Sequence, residues 1–150
     1  VEYLRGLCQQ DGFAKGEFKV FGHPVSLADI KLPVCAIACE TDHIAHWKGS
    51  FNGIRQMGSK DKTFLLSESG HIAGIINPPA KDKYGHYTND APVAGDPEAW
   101  KASATFNKGS WWPRWGAWLA GNSGPMIPAR KPADSLAPAP GTYVVATPTL

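Results

Sequence analysis

Two short apolar runs on either side of a helical stretch constrain the fold of this chain more than any other feature. The first run is Val34–Cys39, and the second lies in KTFLLSES, residues 62–69. Uninterrupted runs of this length are typical of strands buried on both faces of a parallel sheet. Between them, from about Ala45 to Met57, apolar residues recur at helical spacing. The order of these elements predicts a βαβ unit with a right-handed crossover and a parallel sheet, and hence an α/β fold.

The composition is that of an ordinary globular domain. The chain has 150 residues, of which 43% are hydrophobic and 19% are charged, which is enough to form one packed core. Its net charge is +2 and it has no block of basic residues, so we expect no nucleic-acid partner. No apolar run approaches the roughly 20 residues that a membrane-spanning helix requires. From Gly124 onward Pro, Ala and Gly dominate, which predicts a Pro/Ala-rich tail over residues 124–150.

The N-terminal part and the middle of the chain carry weaker signals. Val1–Gln10 is expected to be the end of a helix. Phe18–Leu27 alternates in polarity and predicts a small hairpin or an extended connection. The polar, turn-rich residues 81–97 predict an exposed excursion. His23 and His86 fall in these last two segments, where we expect them to lie in solvated turns.

Two helices are predicted toward the C-terminal end. Asp96-Pro97 is expected to cap a helix that runs through Trp100 and Phe106. The second helix lies in GSWWPRWGAWLAG, residues 109–121, with Ser110 as its cap. Its aromatic residues are expected to face the core, and a binding surface is the alternative. These aromatic residues are Trp111, Trp112, Trp115 and Trp118.

Three cysteines, Cys8, Cys35 and Cys39, bear on the redox setting of the protein. Their number is odd, and their spacing matches no zinc motif. Cys35 and Cys39 lie inside the first strand-like run. We therefore expect all three to be reduced, small buried residues in a cytoplasmic protein, rather than parts of a disulfide framework.

An acid and a histidine follow the two predicted strands. Asp42 comes after the first strand in CETDHIAHW, and His71 comes after the second in SESGHIAG. Because functional groups gather at the C-terminal ends of the strands in an open parallel sheet, we expect these two side chains to meet. A carboxylate in this position fixes the imidazole tautomer and leaves the other ring nitrogen to take a proton from a nucleophile. Surface loop residues, or a buried hydrogen-bonded histidine, are the alternatives.

The loops around these two residues give further expectations. Gly70 is expected to let the chain turn sharply out of the second strand, and Asn77–Pro79 to end the turn that follows. His43 is expected to help hold the loop that carries Asp42. Together with His46 it forms an H-x-x-H pattern that could bind a metal with Asp42, but no third strong ligand is implied and we expect no metal.

Five motifs occur in a distinctive order along the chain, namely TDHIAHW, SGHIAGIINPPAK, YTND, GSWWPRWGAWLAG and PAPGTYV. Together they resemble the C-terminal part of the class I polyhydroxyalkanoate synthases, which make polyester from activated hydroxy acids. The resemblance runs from about Val1 to Val144. It implies that residues 1–123 are the C-terminal portion of an α/β-hydrolase-like catalytic domain.

The resemblance assigns roles to the acid and the histidine. Asp42 matches the family's catalytic aspartate, and His71 matches its catalytic histidine. The family's nucleophile is a cysteine in a Gly-x-Cys-x-Gly elbow that precedes both, and this sequence contains no such elbow. We therefore expect none of the three cysteines to be the nucleophile. We also expect the chain, which begins with Val1 rather than with an initiator methionine, to be part of a longer protein and inactive alone.

The activity implied by the resemblance is acyl transfer through thioesters. The cysteine attacks a 3-hydroxyacyl-coenzyme A, coenzyme A leaves, and the acyl unit extends a growing polyester chain. Coenzyme A is part of the substrate, so no cofactor is implied. The resemblance also implies a homodimer in the cytoplasm, associated with the surface of polyester granules. Lys81 and Lys83 could meet coenzyme A phosphates, although we expect ordinary exposed lysines.

Two departures from the family pattern lie beside Asp42. Thr41 stands where an acidic residue is expected, and Ala45-His46 replaces the more usual pair of a small aliphatic residue and proline. A thioesterase or polyester hydrolase on the same fold is the alternative enzyme. A non-catalytic granule-binding module, acting through the tryptophan helix and the Pro-rich tail, is the alternative from another class.

Overall fold

The computed structural model describes residues 1–131 and 138–147 of the chain. The predicted tail falls partly outside the described residues, at 132–137 and 148–150. Its described part includes a turn of 3-10 helix at Tyr143–Val145. In the described ranges, no helix combines the length and the apolar character that crossing a lipid bilayer would require.

The N-terminal part consists of a short helical segment followed by a hairpin. Leu4–Gln9 form a π-helical segment whose residues are exposed or half-buried. The helix predicted over Val1–Gln10 is therefore present but shorter. β1 (Lys19–Val20) pairs antiparallel with β2 (His23–Pro24), which confirms the hairpin expected over residues 18–27.

The predicted βαβ unit forms the centre of the structure. β3 (Val34–Cys39) and β4 (Lys62–Ser67) pair in parallel along their whole length. α1 (Trp47–Gln56) connects them. The helix begins where His46 Nδ1 accepts a hydrogen bond from the amide of Lys48 at 3.3 Å, which satisfies one of the unpaired amides of the first turn. The two strands and the helix confirm the prediction, with boundaries that differ by at most two residues.

Aromatic side chains from α1, β4 and α2 (Pro97–Ala102) form the core on one face of the sheet. Phe51 of α1 is fully buried, and its ring lies 5.2 Å from that of Phe64 and 5.6 Å from that of Trp100. The rings of Phe64 and Trp100 meet edge to face at 5.2 Å, a favoured arrangement for aromatic pairs. The other buried members of this core are Ala38, Trp47, Ile54, Leu66 and Val93.

The sheet is mixed rather than purely parallel, because two further strands add to it in antiparallel orientation. β5 (His86–Thr88) pairs with the end of β4, and β6 (Thr105–Asn107) pairs with β5. The resulting order is β3-β4-β5-β6. The expectation of an exposed excursion over residues 81–97 is therefore wrong at β5. A strand of three residues is too short to show a periodicity, and its pairing with distant residues decides its conformation.

The two histidines expected in solvated turns lie in strands. His23 is exposed, but it belongs to β2. His86 is buried in β5, and its Nδ1 lies 2.9 Å from the carbonyl oxygen of Gly109. The expectation of a solvated His86 is wrong, since strand pairing buries the ring and Gly109 supplies the partner that a buried imidazole requires.

The helix predicted from Asp96-Pro97 begins as expected but ends early. The Asp96 side chain caps its first turn. α2 ends at Ala102, and the hydroxyl of Ser103 donates to the carbonyl of Trp100 at 3.1 Å. That carbonyl would otherwise bond to the next turn of a longer helix. Phe106, which the sequence predicts in this helix, lies in β6 instead.

α3 (Trp112–Gly121) is less buried than the sequence predicts. The N-cap residue is Trp111 rather than the predicted Ser110, and its side chain makes no capping bond. The hydroxyl of Ser110 accepts from the amide of Trp112 at 3.1 Å, one residue before the expected position of a cap. Trp111, directly before the helix, is buried, whereas Trp115 is 39% exposed. The prediction of a core position is thus confirmed for Trp111 and wrong for Trp115.

The aromatic core predicts a large cost for truncating Phe51. We expect Phe51→Ala to lower the free energy of unfolding by about 3–5 kcal/mol, because removal of a buried ring leaves a cavity between its neighbours. The measurement is urea-induced unfolding followed by far-UV circular dichroism. Phe21→Ala is the control: Phe21 is 97% exposed, and its truncation should change the free energy by less than about 0.5 kcal/mol. Equal effects of the two substitutions would contradict this assignment of the core.

Candidate active site

Asp42 lies in a tight turn directly after β3. Its amide donates to the carbonyl of Cys39 at 3.2 Å. Its Oδ1 accepts from the amides of Ile44 and Ala45 at 2.8 and 2.9 Å. Aspartate favours such turns because its short side chain reaches backbone amides a few residues ahead. The turn buries Asp42 and leaves Oδ2 for a partner from elsewhere in the chain.

His71 follows β4 in a turn that begins at Ser69. The carbonyl of Ser69 accepts from the amide of Thr41 at 3.0 Å, and this bond joins the loop after β3 to the loop after β4. The sequence predicts the sharp bend at Gly70, but the left-handed residue is Ser69, with a φ of 71°. For a residue with a side chain this conformation costs about 1–2 kcal/mol, which the surrounding hydrogen bonds must offset.

The predicted contact between the acid and the histidine is present. His71 Nδ1 lies 2.9 Å from Asp42 Oδ2. The Asp42 side chain is 8% exposed and the His71 side chain is 46% exposed, so the carboxylate is enclosed while the imidazole opens toward the surface. With Nδ1 bound to the carboxylate, Nε2 is left to exchange a proton with a neighbouring group.

The pKa of Asp42 is lowered to about 2. The largest cause is the hydrogen bond from the amide of Ala45, followed by the bond to His71, and burial opposes both. The carboxylate is therefore charged at neutral pH. A charged carboxylate at Nδ1 stabilises the imidazolium that forms when Nε2 takes up a proton.

The departures from the family pattern do not remove a contact of Asp42. Ala45 binds Asp42 through its backbone amide, which any residue except proline supplies. His46 caps α1, and Thr41 contributes its amide to the bond between the two loops. The side chain of His43 is exposed, and its backbone lies within the turn whose amides bind the carboxylate. Its supporting role stays a prediction.

The H-x-x-H pattern of His43 and His46 does not build a metal cluster with Asp42. His46 already uses Nδ1 to accept from the amide of Lys48. Within residues 1–131 and 138–147, no group of three or more His, Cys, Asp or Glu side chains is arranged to hold a metal ion.

The turn after the histidine is held by hydrogen bonds to its carbonyl groups. Gly74 O accepts from the hydroxyl of Ser67 and from the indole of Trp111, both at 2.9 Å. Ile75 O accepts from the indole of Trp112 at 3.0 Å. The sequence analysis predicts a core position for these tryptophans from their helical spacing, but it does not predict their contact with the turn after His71. The one feature of the sequence that points to such a contact is chemical, since an indole N–H that becomes buried needs an acceptor.

Asn77–Pro79 end this turn, as predicted, and a turn of 3-10 helix follows. The Asn77 side chain is buried and donates through Nδ2 to the carbonyl of Tyr84 at 2.9 Å. A hydrogen bond with Lys83 is the largest cause that lowers the pKa of the Tyr84 hydroxyl. Lys81 and Lys83 are both exposed, and Lys83 lies 5.0 Å from the centre of the Tyr84 ring.

The three cysteines differ in their surroundings. All are free thiols; Cys39 is buried, Cys35 is half-buried and Cys8 is exposed, so the expectation of burial is wrong for Cys8. Burial, and then the charge of Asp42, raise the pKa of Cys39 to about 11. Burial also raises the pKa of Cys35. Both thiols are therefore protonated at neutral pH, which makes them poor nucleophiles.

Comparison with known proteins finds relatives that share this segment. No family model matches the chain, but individual relatives do. The chain is 45% identical to the poly(3-hydroxyalkanoate) polymerase subunit PhaC of Rhizobium meliloti, and the match covers 95% of the present chain. It is 44% identical to the protein of the same name from Cupriavidus necator over 96% of its length. The identity to poly(3-hydroxyalkanoate) polymerase 2 of Ectopseudomonas oleovorans is 37% over 85% of the chain.

Over the segment that it spans, the chain is therefore similar to proteins that are named poly(3-hydroxyalkanoate) polymerases. It covers 23% of the Rhizobium meliloti protein and 25% of the Cupriavidus necator protein. This segment lies in the C-terminal part of those relatives. The resemblance drawn from the five sequence motifs is thereby confirmed.

The low pKa of Asp42 predicts how stability depends on pH. The carboxyl has an ordinary pKa of 3.8 and a pKa of about 2 in the folded protein. Its stabilising effect is therefore complete above about pH 4 and is lost as the pH falls through about 2. Asp42→Asn, which keeps an oxygen for the turn amides, should remove this contribution. Thermal midpoints should show the full difference between the two proteins near pH 4 and a narrowing difference as the pH falls toward about 2.

The control for this experiment is Asp90→Asn, because the Asp90 side chain is fully exposed. Its midpoint should follow that of the unaltered protein across the pH range. A difference between the Asp42→Asn variant and the unaltered protein that stays constant down to about pH 2 would contradict the lowered pKa.

Proposed function

We propose that this chain is the C-terminal part of a polyhydroxyalkanoate synthase of class I, which polymerises 3-hydroxyacyl-coenzyme A and releases coenzyme A. The observation that carries the proposal is the 2.9 Å contact between His71 Nδ1 and Asp42 Oδ2 at the tips of adjacent parallel strands. The nucleophile is a cysteine that precedes Val1 in the full-length protein. The similarity of the chain to proteins named poly(3-hydroxyalkanoate) polymerases supports this substrate class.

The α/β-hydrolase fold is part of the proposal. The two parallel strands β3 and β4 carry the acid and the histidine, in that order, on the loops at their C-terminal ends. This order agrees with the α/β-hydrolases, in which the nucleophile comes first along the chain, followed by the acid and then the histidine. The mixed sheet and its covering helices are compatible with the C-terminal part of such a fold.

In the first half-reaction, His71 Nε2 takes the proton of the cysteine thiol. The thiolate attacks the thioester carbonyl of the substrate, the bond to the sulfur of coenzyme A breaks, and the acyl group stays on the cysteine as a new thioester. The imidazolium returns its proton to the departing coenzyme A thiolate. A thiolate suits this exchange because it is both a good nucleophile and a good leaving group at neutral pH.

In the second half-reaction, the hydroxyl of one acyl unit attacks the thioester of another. An ester bond forms, a carbon–sulfur bond breaks, and the hydroxyl proton passes through His71 to the released thiolate. We assign the base to His71 rather than to Asp42. Both carboxylate oxygens of Asp42 already accept hydrogen bonds, and its pKa of about 2 makes it a weak base.

The whole protein is proposed to act as a homodimer in the cytoplasm, at the surface of the polyester granules that it produces. Coenzyme A enters as part of the substrate and no separate cofactor takes part. The names of the similar proteins support polyester as the product, and the rest of this setting is part of the proposal.

The test is turnover by the full-length protein carrying substitutions in this segment. With 3-hydroxybutyryl-coenzyme A, His71→Ala and Asp42→Asn should each lower kcat by at least about 100-fold, because proton transfer through an oriented imidazole contributes about 100- to 10,000-fold. The measurement is the release of coenzyme A, detected with a thiol reagent, together with the mass of polyester formed. His23→Ala, on the exposed hairpin, should leave kcat within about twofold.

Two outcomes would contradict the proposal. Turnover of His71→Ala within a few-fold of the unaltered protein would remove the histidine from the reaction. Release of free 3-hydroxy acid without polyester would instead assign the site to a thioesterase or polyester hydrolase. Near-UV circular dichroism of each variant establishes that the fold is retained.

A further inference from the structure

Two adjacent indole groups bind the backbone of the turn that carries His71. Trp111 Nε1 donates to Gly74 O at 2.9 Å, and Trp112 Nε1 donates to Ile75 O at 3.0 Å. The two tryptophans are 37 residues away along the chain, at the start of α3. The bonds therefore join the start of α3 to the turn that carries His71, although the two segments are far apart in the sequence.

The same turn is fixed on its other side by the sheet. Ser67 of β4 is fully buried, and its hydroxyl donates to Gly74 O at 2.9 Å. Gly74 packs so closely that a Cβ there would lie 2.6 Å from Cys39 Sγ and 2.6 Å from the carbonyl oxygen of Glu68. The turn therefore lies directly against the strand ends, and its Gly74 carbonyl accepts from both Ser67 and Trp111.

Backbone bonds connect this fixed point to the histidine. The amide of Gly74 donates to Gly70 O at 3.0 Å, and the amide of Ile76 donates to Ile72 O at 2.8 Å. Residues 70–76 thus form two overlapping hydrogen-bonded turns, and His71 lies within the first of them. A displacement of the Gly74 and Ile75 carbonyls would move this turn as a unit and change the 2.9 Å distance from His71 to Asp42.

We infer that Trp111 and Trp112 are positioning residues, whose indole N–H groups hold the imidazole of His71 in line with Asp42. Trp111 is buried and its ring meets that of Trp112 edge to face at 6.3 Å. Each indole donates to its own carbonyl, so the two adjacent tryptophans bind two consecutive peptide groups of the turn. The expected effect on kcat rests on the proposed acyl transfer, whereas the expected effect on the position of the His71 ring does not.

Trp115 provides a matched comparison within the same helix. Its ring lies 5.9 Å from that of Trp111, but it is 39% exposed and is not among the indoles that donate to the turn. If aromatic packing alone mattered, Trp115→Phe would resemble the substitutions of its two neighbours. If the hydrogen bonds matter, Trp111→Phe and Trp112→Phe should change kcat and the position of His71, whereas Trp115→Phe should not.

The experiment uses the full-length protein with Trp111→Phe, Trp112→Phe or Trp115→Phe. Phenylalanine keeps an aromatic ring but has no N–H to donate. We expect the first two to lower kcat about tenfold each, with KM within about twofold, since misplacement of a catalytic group by less than 1 Å costs that much. The pH dependence of kcat/KM should also shift, whereas Trp115→Phe should change none of these quantities.

A second measurement does not depend on turnover. In protein labelled with ¹⁵N-histidine, the proton on His71 Nδ1, assigned with His71→Gln, should resonate far downfield because it is shared with Asp42. Trp111→Phe and Trp112→Phe should shift or broaden this signal, and Trp115→Phe should leave it in place. Because Trp111 is buried, the same test is made with benzothienylalanine at that position, which keeps the bicyclic ring and replaces the N–H with sulfur.

The outcomes separate this inference from the proposed function. If His71→Ala abolishes turnover while the Trp111 and Trp112 variants keep kcat and the His71 signal, the inference is overturned and the function stands. If His71→Ala keeps turnover while the signal still moves in the Trp111 and Trp112 variants, the function fails and the positioning stands. An unchanged signal with benzothienylalanine at Trp111 would overturn the role of that N–H directly.

Discussion

The parallel pairing of β3 and β4 is the interaction on which the rest of the structure depends. It aligns Cys39 with Ser67 at the ends of the two strands, so the loops that follow leave the sheet side by side. The bond from the amide of Thr41 to the carbonyl of Ser69, at 3.0 Å, continues this alignment into the loops. A slip of one residue would displace one loop by about 3.3 Å and reverse the faces of its strand, which would separate the acid from the histidine.

The two faces of the β3–β4 pair pack against different parts of the structure. Phe64 and Leu66 point toward α1 and α2 and join the aromatic core, which supplies much of the stability through buried apolar surface. The opposite face carries smaller groups at the strand ends, and there Ser67 and Cys39 contact Gly74. Small residues let the turn that carries the histidine approach the sheet closely, so the position of the site depends on packing that contributes little apolar area.

The sequence predicts the βαβ unit and the contact between acid and histidine because both leave local signals, namely continuous apolar runs followed by polar loops. It does not predict β5 and β6, since three-residue strands are decided by partners far along the chain. The burial of His86 and the bonds from Trp111 to Gly74 belong to the same category of long-range contact. The sequence also predicts the sharp bend one residue too late. Glycine is the usual residue for such a bend, which favours Gly70, but Ser69 adopts the left-handed conformation.

The surroundings of Cys39 have a consequence for the selectivity of the chemistry. In the proposed acyl transfer, the substrate is a thioester, and thioesters react by exchange with any accessible thiolate. With a pKa of about 11, Cys39 is ionised in only about one molecule in ten thousand at pH 7. Cys39 is therefore expected not to react with activated acyl groups. Its burial in β3 and the nearby charge of Asp42, the same carboxylate that binds His71, both keep its thiol protonated.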